Sequence, residues 1–430
     1  SDAGMIVPKL KRLHLLAVLT AMLTGSQFDF LHAQEGSGSS GLESPSELLH
    51  WKMFNLHPRL ATSVTYDDNI TLQETNALED ITWIVSPGIS AVAGDPTTGF
   101  SKLFSVAYDA SVLTFLRHNE FNAVDHVAKI SGLLPFAKLT LGASAGFQRL
   151  STPQIDLGIR VQRTLYTAAA TSRYEISPKT SAEVNGGYNR TDYSDRRLIG
   201  SEEWFNQNWI NNQVSSKINL GLGLGAGYLT QDRGPTQTYE RVLLRAIYVL
   251  TGKLDLTASA GVELRQYQSF DNLVGLVSGF PTNTTITITN ITEKAASRIS
   301  PIFDIGANYR PREGTAIRIE LFRRDQNSPT VAGYNYIRTG VSISVQQRFW
   351  ERFSASFGGT FENSSYHAEL RNQNLDREDY YYALSAGLNA LITQRWVAGL
   401  MVQRRSSDSN ERDGTIFDNN QVALQTSYSF

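Results

Sequence analysis

A regular exchange between short turns and long polar segments constrains this chain more than any other feature. Turn signals occur at Asp95-Pro96-Thr97-Thr98, Pro135-Phe136-Ala137-Lys138, Ser177-Pro178-Lys179-Thr180 and Ser215-Ser216-Lys217. They continue at Thr251-Gly252-Lys253, Pro311-Arg312-Glu313-Gly314, Trp350-Glu351-Arg352 and Thr393-Gln394-Arg395. Most intervals are roughly 36–44 residues, and the one from Lys253 to Pro311 is near 60. Between the turns lie longer segments rich in Asp, Asn, Ser and Arg. Each unit reads as strand, long loop, strand, short turn. A propeller has a similar repeat length, but its blades need four short strands where this chain offers two long ones.

Within the units, side chains alternate with a period of two, which places successive residues on opposite faces of a strand. In 352–365, Phe353, Ala355, Phe357, Gly359 and Phe361 form one row, opposed by Ser354, Ser356, Gly358, Thr360 and Glu362. In 218–230, Leu220, Leu222, Leu224, Ala226 and Tyr228 oppose Gly221, Gly223, Gly225 and Gly227. In 333–348, Ile337, Val341, Ile343 and Val345 oppose Arg338, Gly340, Ser342, Ser344 and Gln346, and in 315–325, Ile317, Ile319 and Leu321 oppose Arg318 and Glu320. Eighteen strands are predicted, at 56–66, 80–93, 100–114, 125–134, 138–150, 162–175, 180–192, 203–214, 218–230, 238–250, 254–268, 297–310, 315–325, 333–348, 352–365, 378–391, 396–407 and 416–430. The count falls to 16 if one hairpin is misread, and 203–214 is the least regular, with Asn and Gln on both faces.

No helix pattern supplies a cover for so many half-apolar strands. A closed sheet solves this by placing the apolar row in lipid and the polar row in a lumen. The expected fold is therefore all-β: a transmembrane antiparallel up-and-down β-barrel with short periplasmic turns and long extracellular loops. Such strands span with about 9–11 residues and need no apolar run of helical length. No run of 18 apolar residues follows the first 33. A formal charge of −2 gives no basic footprint, so no nucleic-acid partner is expected. The chain has no cysteine, which excludes disulfides and thiolate metal sites.

The two ends fit an exported barrel. Lys9, Lys11 and Arg12 precede the apolar stretch Leu15–Leu23, and Leu31-His32-Ala33 offers a cleavage site before Gln34. Residues 1–33 read as a signal peptide with an upstream extension before Met5. Residues 34–55 read as a periplasmic N-terminal segment with room for a short helix or small plug at Ser44–Asn55, and residues 56–430 as the barrel. The last strand carries Val422, Leu424, Tyr428 and Phe430 on one face, the pattern of a barrel-assembly signal. Aromatics near the short turns (Phe136, Phe349, Trp350, Trp396) and near the long loops (Trp83, Phe147, Tyr188, Tyr228, Tyr267) are expected to form interfacial belts.

Apparent enzyme motifs are better read as strand. Gly142-Ala143-Ser144-Ala145-Gly146 matches a nucleophile elbow, but that chemistry needs a strand-to-helix turn. Ser-Ala-Gly recurs at Ser259-Ala260-Gly261 and Ser385-Ala386-Gly387. The stripe Gly221–Gly227 resembles a dinucleotide fingerprint with no helix after it, and more naturally eases curvature or makes room for an inward aromatic. His118 and His126 straddle a loop, and His367 has Asp376 and Asp379 nearby in sequence. Asp-rich edges at Tyr66-Asp67-Asp68-Asn69, Asp192-Tyr193-Ser194-Asp195, Phe270-Asp271-Asn272 and Phe417-Asp418-Asn419-Asn420 lack EF-hand spacing and suit polar rims. No catalytic residue, metal or cofactor is expected.

The lumen would carry function. Alternation assigns Asp109, Glu183, Arg241, Arg245, Glu263, Arg265, Asp304, Arg318, Glu320, Arg338, Glu362 and Arg405 to the inner row. Charges there either set selectivity or brace the wall as ion pairs. Gln148, Asn308, Gln346 and Asn389 add neutral hydrogen bonding suited to sugars. The long segment Asp271–Ser297 either constricts the lumen or projects as a hairpin, and its alternating Thr and Ile favours the hairpin.

The leader, the first strand ending Thr65-Tyr66-Asp67-Asp68-Asn69-Ile70, the Gly-plus-aromatic strand middles and Phe430 together give a family resemblance. The mature chain resembles the β-barrel porin families of Gram-negative outer membranes, including those encoded with exopolysaccharide genes. The resemblance implies a bacterial outer-membrane channel for passive passage of small hydrophilic solutes, or one that supports polysaccharide export. Its implied partners are outer-membrane lipid and lipopolysaccharide, the barrel-assembly machinery, and polysaccharide or small solutes. The alternative is a non-conducting structural or adhesive barrel. A TonB box and a globular plug domain are both missing from the pattern.

Overall fold

The computed structural model describes residues 49–51, 53–94, 102–268, 270–278, 285–293, 297–330, 334–368, 377–411 and 414–430. Among them, eighteen long strands form one closed sheet. They are β1 (Phe54–Asp67), β2 (Asp80–Ala93), β3 (Leu103–Phe115), β4 (Ala123–Pro135), β5 (Leu139–Leu150) and β6 (Arg163–Ser177). Then come β7 (Thr180–Tyr193), β8 (Ser201–Gln213), β9 (Ile218–Gln231), β10 (Gln237–Thr251), β11 (Leu254–Tyr267) and β12 (Arg298–Tyr309). The wall is completed by β13 (Thr315–Asn327), β14 (Tyr334–Phe349), β15 (Phe353–Ala368), β16 (Glu378–Thr393), β17 (Trp396–Ser409) and β18 (Phe417–Ser429). Each pairs antiparallel with its chain neighbours, and β18 returns to β1 from Arg59↔Ser429 to Asp67↔Gln421. Closure leaves no edge strand, since every wall strand has a paired neighbour on each side.

Parity assigns the faces as the alternation predicts. Leu222 is 51% exposed on the outer face, whereas Glu263 inside is 0% exposed. Outer-row Phe357 packs beside outer-row Val345 and Ala386, its directly paired neighbours. On the terminal strand Val422, Leu424 and Tyr428 are exposed, as is Phe430 just beyond it. Indole N–H groups on this face find partners within the sheet. Trp83 Nε1 donates to Thr62 Oγ1 at 2.8 Å, and Trp396 Nε1 donates to Thr426 Oγ1. The irregular β8 also keeps its parity. Its outward Asn206 donates to the Asn185 carbonyl at 3.1 Å and Asn212 to Thr180 Oγ1 at 3.0 Å, which ties these amides to the sheet.

The glycine stripe of β9 has a steric cause. A Cβ on Gly223 would lie 2.6 Å from the Trp209 ring, and one on Gly227 would collide with Tyr239. These glycines make room for inward aromatics on β8 and β10, while Gly142–Gly146 lies within the uninterrupted β5.

Several expectations change in detail. The wall begins at Phe54, two residues early, and Leu49–Trp51 is a short strand folded back on Phe54–Leu56 rather than helix. Tyr267 is buried on the inner face opposite Gln237, so it is no part of an outer belt. Within the long segment after β11, Phe270–Ser278 pairs with Thr285–Glu293 as a hairpin in its own two-stranded sheet. The signal segment, most of 34–55, the turn at 95–98 and Asp376 lie outside the described residues.

Candidate functional site: the inner wall and mouth

Contacts between strands that are not sheet neighbours can form only on the concave side, and they identify the inner wall. From β6 to β15 this wall carries long charged side chains locked together. Glu183 accepts from Arg173 at 3.2 Å and from Arg245 at 2.7 Å, and the Arg245 guanidinium stacks 4.2 Å from the Trp209 ring. Glu263 accepts from Arg241 at 2.6 Å and Arg265 at 2.7 Å. Arg265 also donates to Gln237 Oε1 at 2.8 Å, and Asn335 joins Gln237 to Asp325 through 3.1 Å bonds. Arg324 donates to Asp304 at 2.5 Å and Glu320 at 2.9 Å. Arg338 is paired with Glu362, and Arg318 Nε donates to Asn308 at 3.1 Å. A carboxylate buried among two or three guanidinium donors is stabilised only as part of such a set.

The remainder of the wall, from β15 through β18 to β1–β6, differs. Its inner row is mainly Ser, Thr, Gly, Asn and Gln. Ser86 and Ser111 hydroxyls meet at 2.8 Å, and Ser105 and Ser131 at 2.7 Å. Gly142 lies beside Thr171, Gly358 beside Ser385, and Gly399 beside Asn389. Charge on these rows includes Lys129, Asp109 held by Arg59 at 2.7 Å, and, toward the loop end, the buried Asp67, Asp80, Asp125, Arg163 and Asp379 together with Arg405, whose guanidinium donates to Asn419 at 2.7 Å. Short side chains leave space beside the wall, whereas arginine ladders occupy it.

Two segments reach across the loop end, and sequence reading singled out only the start of the first, Asp68–Ile70. Residues 68–79, between β1 and β2, carry Ile70 and Leu72, each at most 1% exposed. Ile70 packs with Leu113 and Phe115, and Leu72 reaches Tyr381 and Phe417. Residues 151–162, between β5 and β6, cross to the far wall. Tyr336 on β14 donates to Asp156 Oδ2 at 3.3 Å, and Thr415 donates to the Asp156 carbonyl at 3.2 Å. Arg160 fastens the two segments, donating to the Ile70 carbonyl at 3.2 Å and the Ser151 carbonyl at 2.9 Å while lying 4.8 Å from the Phe115 ring. Burial lowers its pKa to about 10, opposed by Asp67 and Asp125 and reinforced by Arg405.

The Asp-rich edges act as clasps. Asp80 accepts from the backbone of Leu116, Arg117 and His118, and from His118 Nδ1 at 3.0 Å. Asp67 accepts from Asn419 at 2.5 Å and Gln421 at 2.6 Å, and Asp68 accepts from the Asn420 backbone at 2.6 Å. His126 instead meets the Tyr108 hydroxyl at 2.8 Å. Among the described residues, no three His, Asp or Glu side chains gather as a metal site.

No protein-family model matches the chain. No curated protein matches it either. Among solved structures, OccAB3 of Acinetobacter baumannii is similar at TM-score 0.43 and 12% identity, over 87% of this chain and 99% of that one. The outer membrane protein opdK of Pseudomonas aeruginosa gives TM-score 0.41 and 11% identity, over 87% and 98%. The copper transporter OprC gives 0.43 and 7%, over 89% and 84%.

Proposed function

We propose that this chain is an outer-membrane channel for passive passage of small hydrophilic solutes. The observation that carries this reading is the closed wall of eighteen strands, apolar outside and polar inside. Only a structure that satisfies its backbone internally is stable across lipid, and a closed sheet does so. The outer row then contacts lipid and lipopolysaccharide, and the exposed face of Val422, Leu424, Tyr428 and Phe430 is available to the barrel-assembly machinery. The hydroxyl and amide groups of the second arc favour carbohydrates among the solutes, because they donate and accept without demanding a charge. Support of polysaccharide export is the finer form of the same reading.

Conductance of the purified protein in planar bilayers tests it. Discrete, long-lived current steps are expected. A barrel that is folded by gel mobility but passes no current would replace the channel with the structural or adhesive alternative.

A further inference from the structure

One seam of the wall is left unfinished. β12 and β13 pair only from Phe303↔Arg323 to Tyr309↔Ile317, seven residue pairs. Beyond that point both strands continue and both remain paired on their far sides. Arg298 still pairs with Arg265 of β11, and Asn327 with Asn335 of β14. Residues 298–302 and 324–327 therefore lie side by side without ladder pairing, a slit in the hydrogen-bond ladder at the loop end of the wall. At about 3.3 Å per residue, the slit is roughly 13–16 Å long.

The sequence supplies a cause. Pro301 has no N–H, and its carbonyl points into the slit, where it accepts from Arg323 Nε at 3.2 Å. The missing donor would have pointed the same way, so the ladder loses a rung there. Side chains close the gap instead. Arg298 pairs with Asp325, and Arg324 pairs with Asp304. Asp325 lies on the outer row by parity but turns inward to within 3.7 Å of Arg265. The lips combine both polarities: Ile299 is 70% exposed and Pro301 is also exposed, while Phe322 is fully buried on the inner side. The axial way out at this end is narrowed by residues 68–79 and 151–162.

We propose that this slit is a latched lateral portal, through which an amphipathic molecule with an acyl chain and a charged or zwitterionic head passes between the outer leaflet and the lumen. The tail follows Ile299, Pro301, Ile302 and Phe322, and the head exchanges with the Arg298–Asp325 pair. The proposal rests on the reading of the barrel as a membrane channel.

The cysteine-free chain allows a clean test. Ser300→Cys with Gln326→Cys places thiols where the ladder would pair if it continued, to be bridged by a disulfide or, across a wider gap, by a bis-maleimide. Full-length protein is reconstituted into vesicles with albumin trapped inside, and fluorescent lysophosphatidylcholine is added outside. Bridging is expected to slow transfer to albumin at least tenfold and to leave sugar-driven vesicle swelling unchanged, with reduction of the disulfide restoring transfer. Equal transfer in bridged and unbridged protein overturns the portal. Absence of swelling in both states overturns the channel reading alone, provided that transfer still responds to the bridge. A second variant, Pro301→Thr, restores the N–H. Slower transfer and stronger amide-exchange protection over 324–327 are expected, and unchanged values for both count against the portal.

Discussion

The two arcs of the inner wall share one backbone geometry and differ in what fills it. From β6 to β15, guanidinium and carboxylate groups are buried together, with Glu183 and Glu263 at no more than 1% exposure. In the other arc, paired hydroxyls such as Ser86–Ser111 lie close to the wall. The first arc holds its strands through side chains as well as backbone. The second relies on the backbone ladder and leaves space beside the wall. Bracing by charged side chains thus falls mainly to one set of strands of the cylinder.

Substitution can break this contrast. Glu263→Ala has the largest expected effect, because it leaves Arg241 and Arg265 without their shared carboxylate; a loss of about 3–5 kcal/mol should appear as a lower urea midpoint for the folded barrel. Next comes Phe357→Arg on the outer face, at about 2–4 kcal/mol, read as the fraction of heat-modifiable protein recovered from membranes. Ser356→Arg, one residue away on the inner row, should leave that fraction unchanged, and equal losses for both would reject the assignment of faces. In the hydroxyl-lined arc, Ser111→Arg should reduce single-channel conductance by roughly half and change stability by less than about 0.5 kcal/mol. A conductance equal to the parent's would show that solutes do not run along this arc.

The smallest effect belongs to an exposed pair outside both arcs. Arg197 holds the Asp195 carboxyl at about 2 through a side-chain bond at 2.6 Å. Any stabilisation from a depressed carboxylate is present above its ordinary pKa and lost as pH falls through about 2. The Arg197 side chain is 88% exposed and solvent screens the pair, so Arg197→Ala should raise the Asp195 pKa toward the ordinary carboxylate range by NMR titration without moving the unfolding midpoint.

Much of the wall was legible because its period is two and its turns recur. The rows of β9 and β15 read directly as outer and inner. Arg173 also lies on an inner row, in parity with Thr167 and Thr171, and could have been found by the same rule. The mouth was less legible. Leu72, Asp156 and Arg160 lie in connections without a period, and their partners Tyr381, Tyr336 and Ile70 are distant or unrelated by strand parity. Arg324 and Asp325 illustrate a second failure. Adjacent strand residues should face opposite ways, yet both serve the inner wall, because the ladder stops beside them at Phe303↔Arg323.

The joint between the first and last strands has a kinetic consequence. Most neighbouring strands are joined through a turn or a short loop, so their pairing is local and can form as hairpins emerge. Asp67 and Gln421 are 354 residues apart. Relative to a 20-residue hairpin, that is roughly four doublings of loop length, an added closure cost of about 2.5 kcal/mol. Non-local pairing of this kind slows folding more than it weakens the product. The Asp67–Asn419 and Asp68–Asn420 clasps stand at the loop end of that joint, and the Phe430 amide donates to the Pro58 carbonyl at 3.1 Å at the other. Their removal should lengthen the lifetime of an open-sheet intermediate far more than it lowers the stability of the finished cylinder.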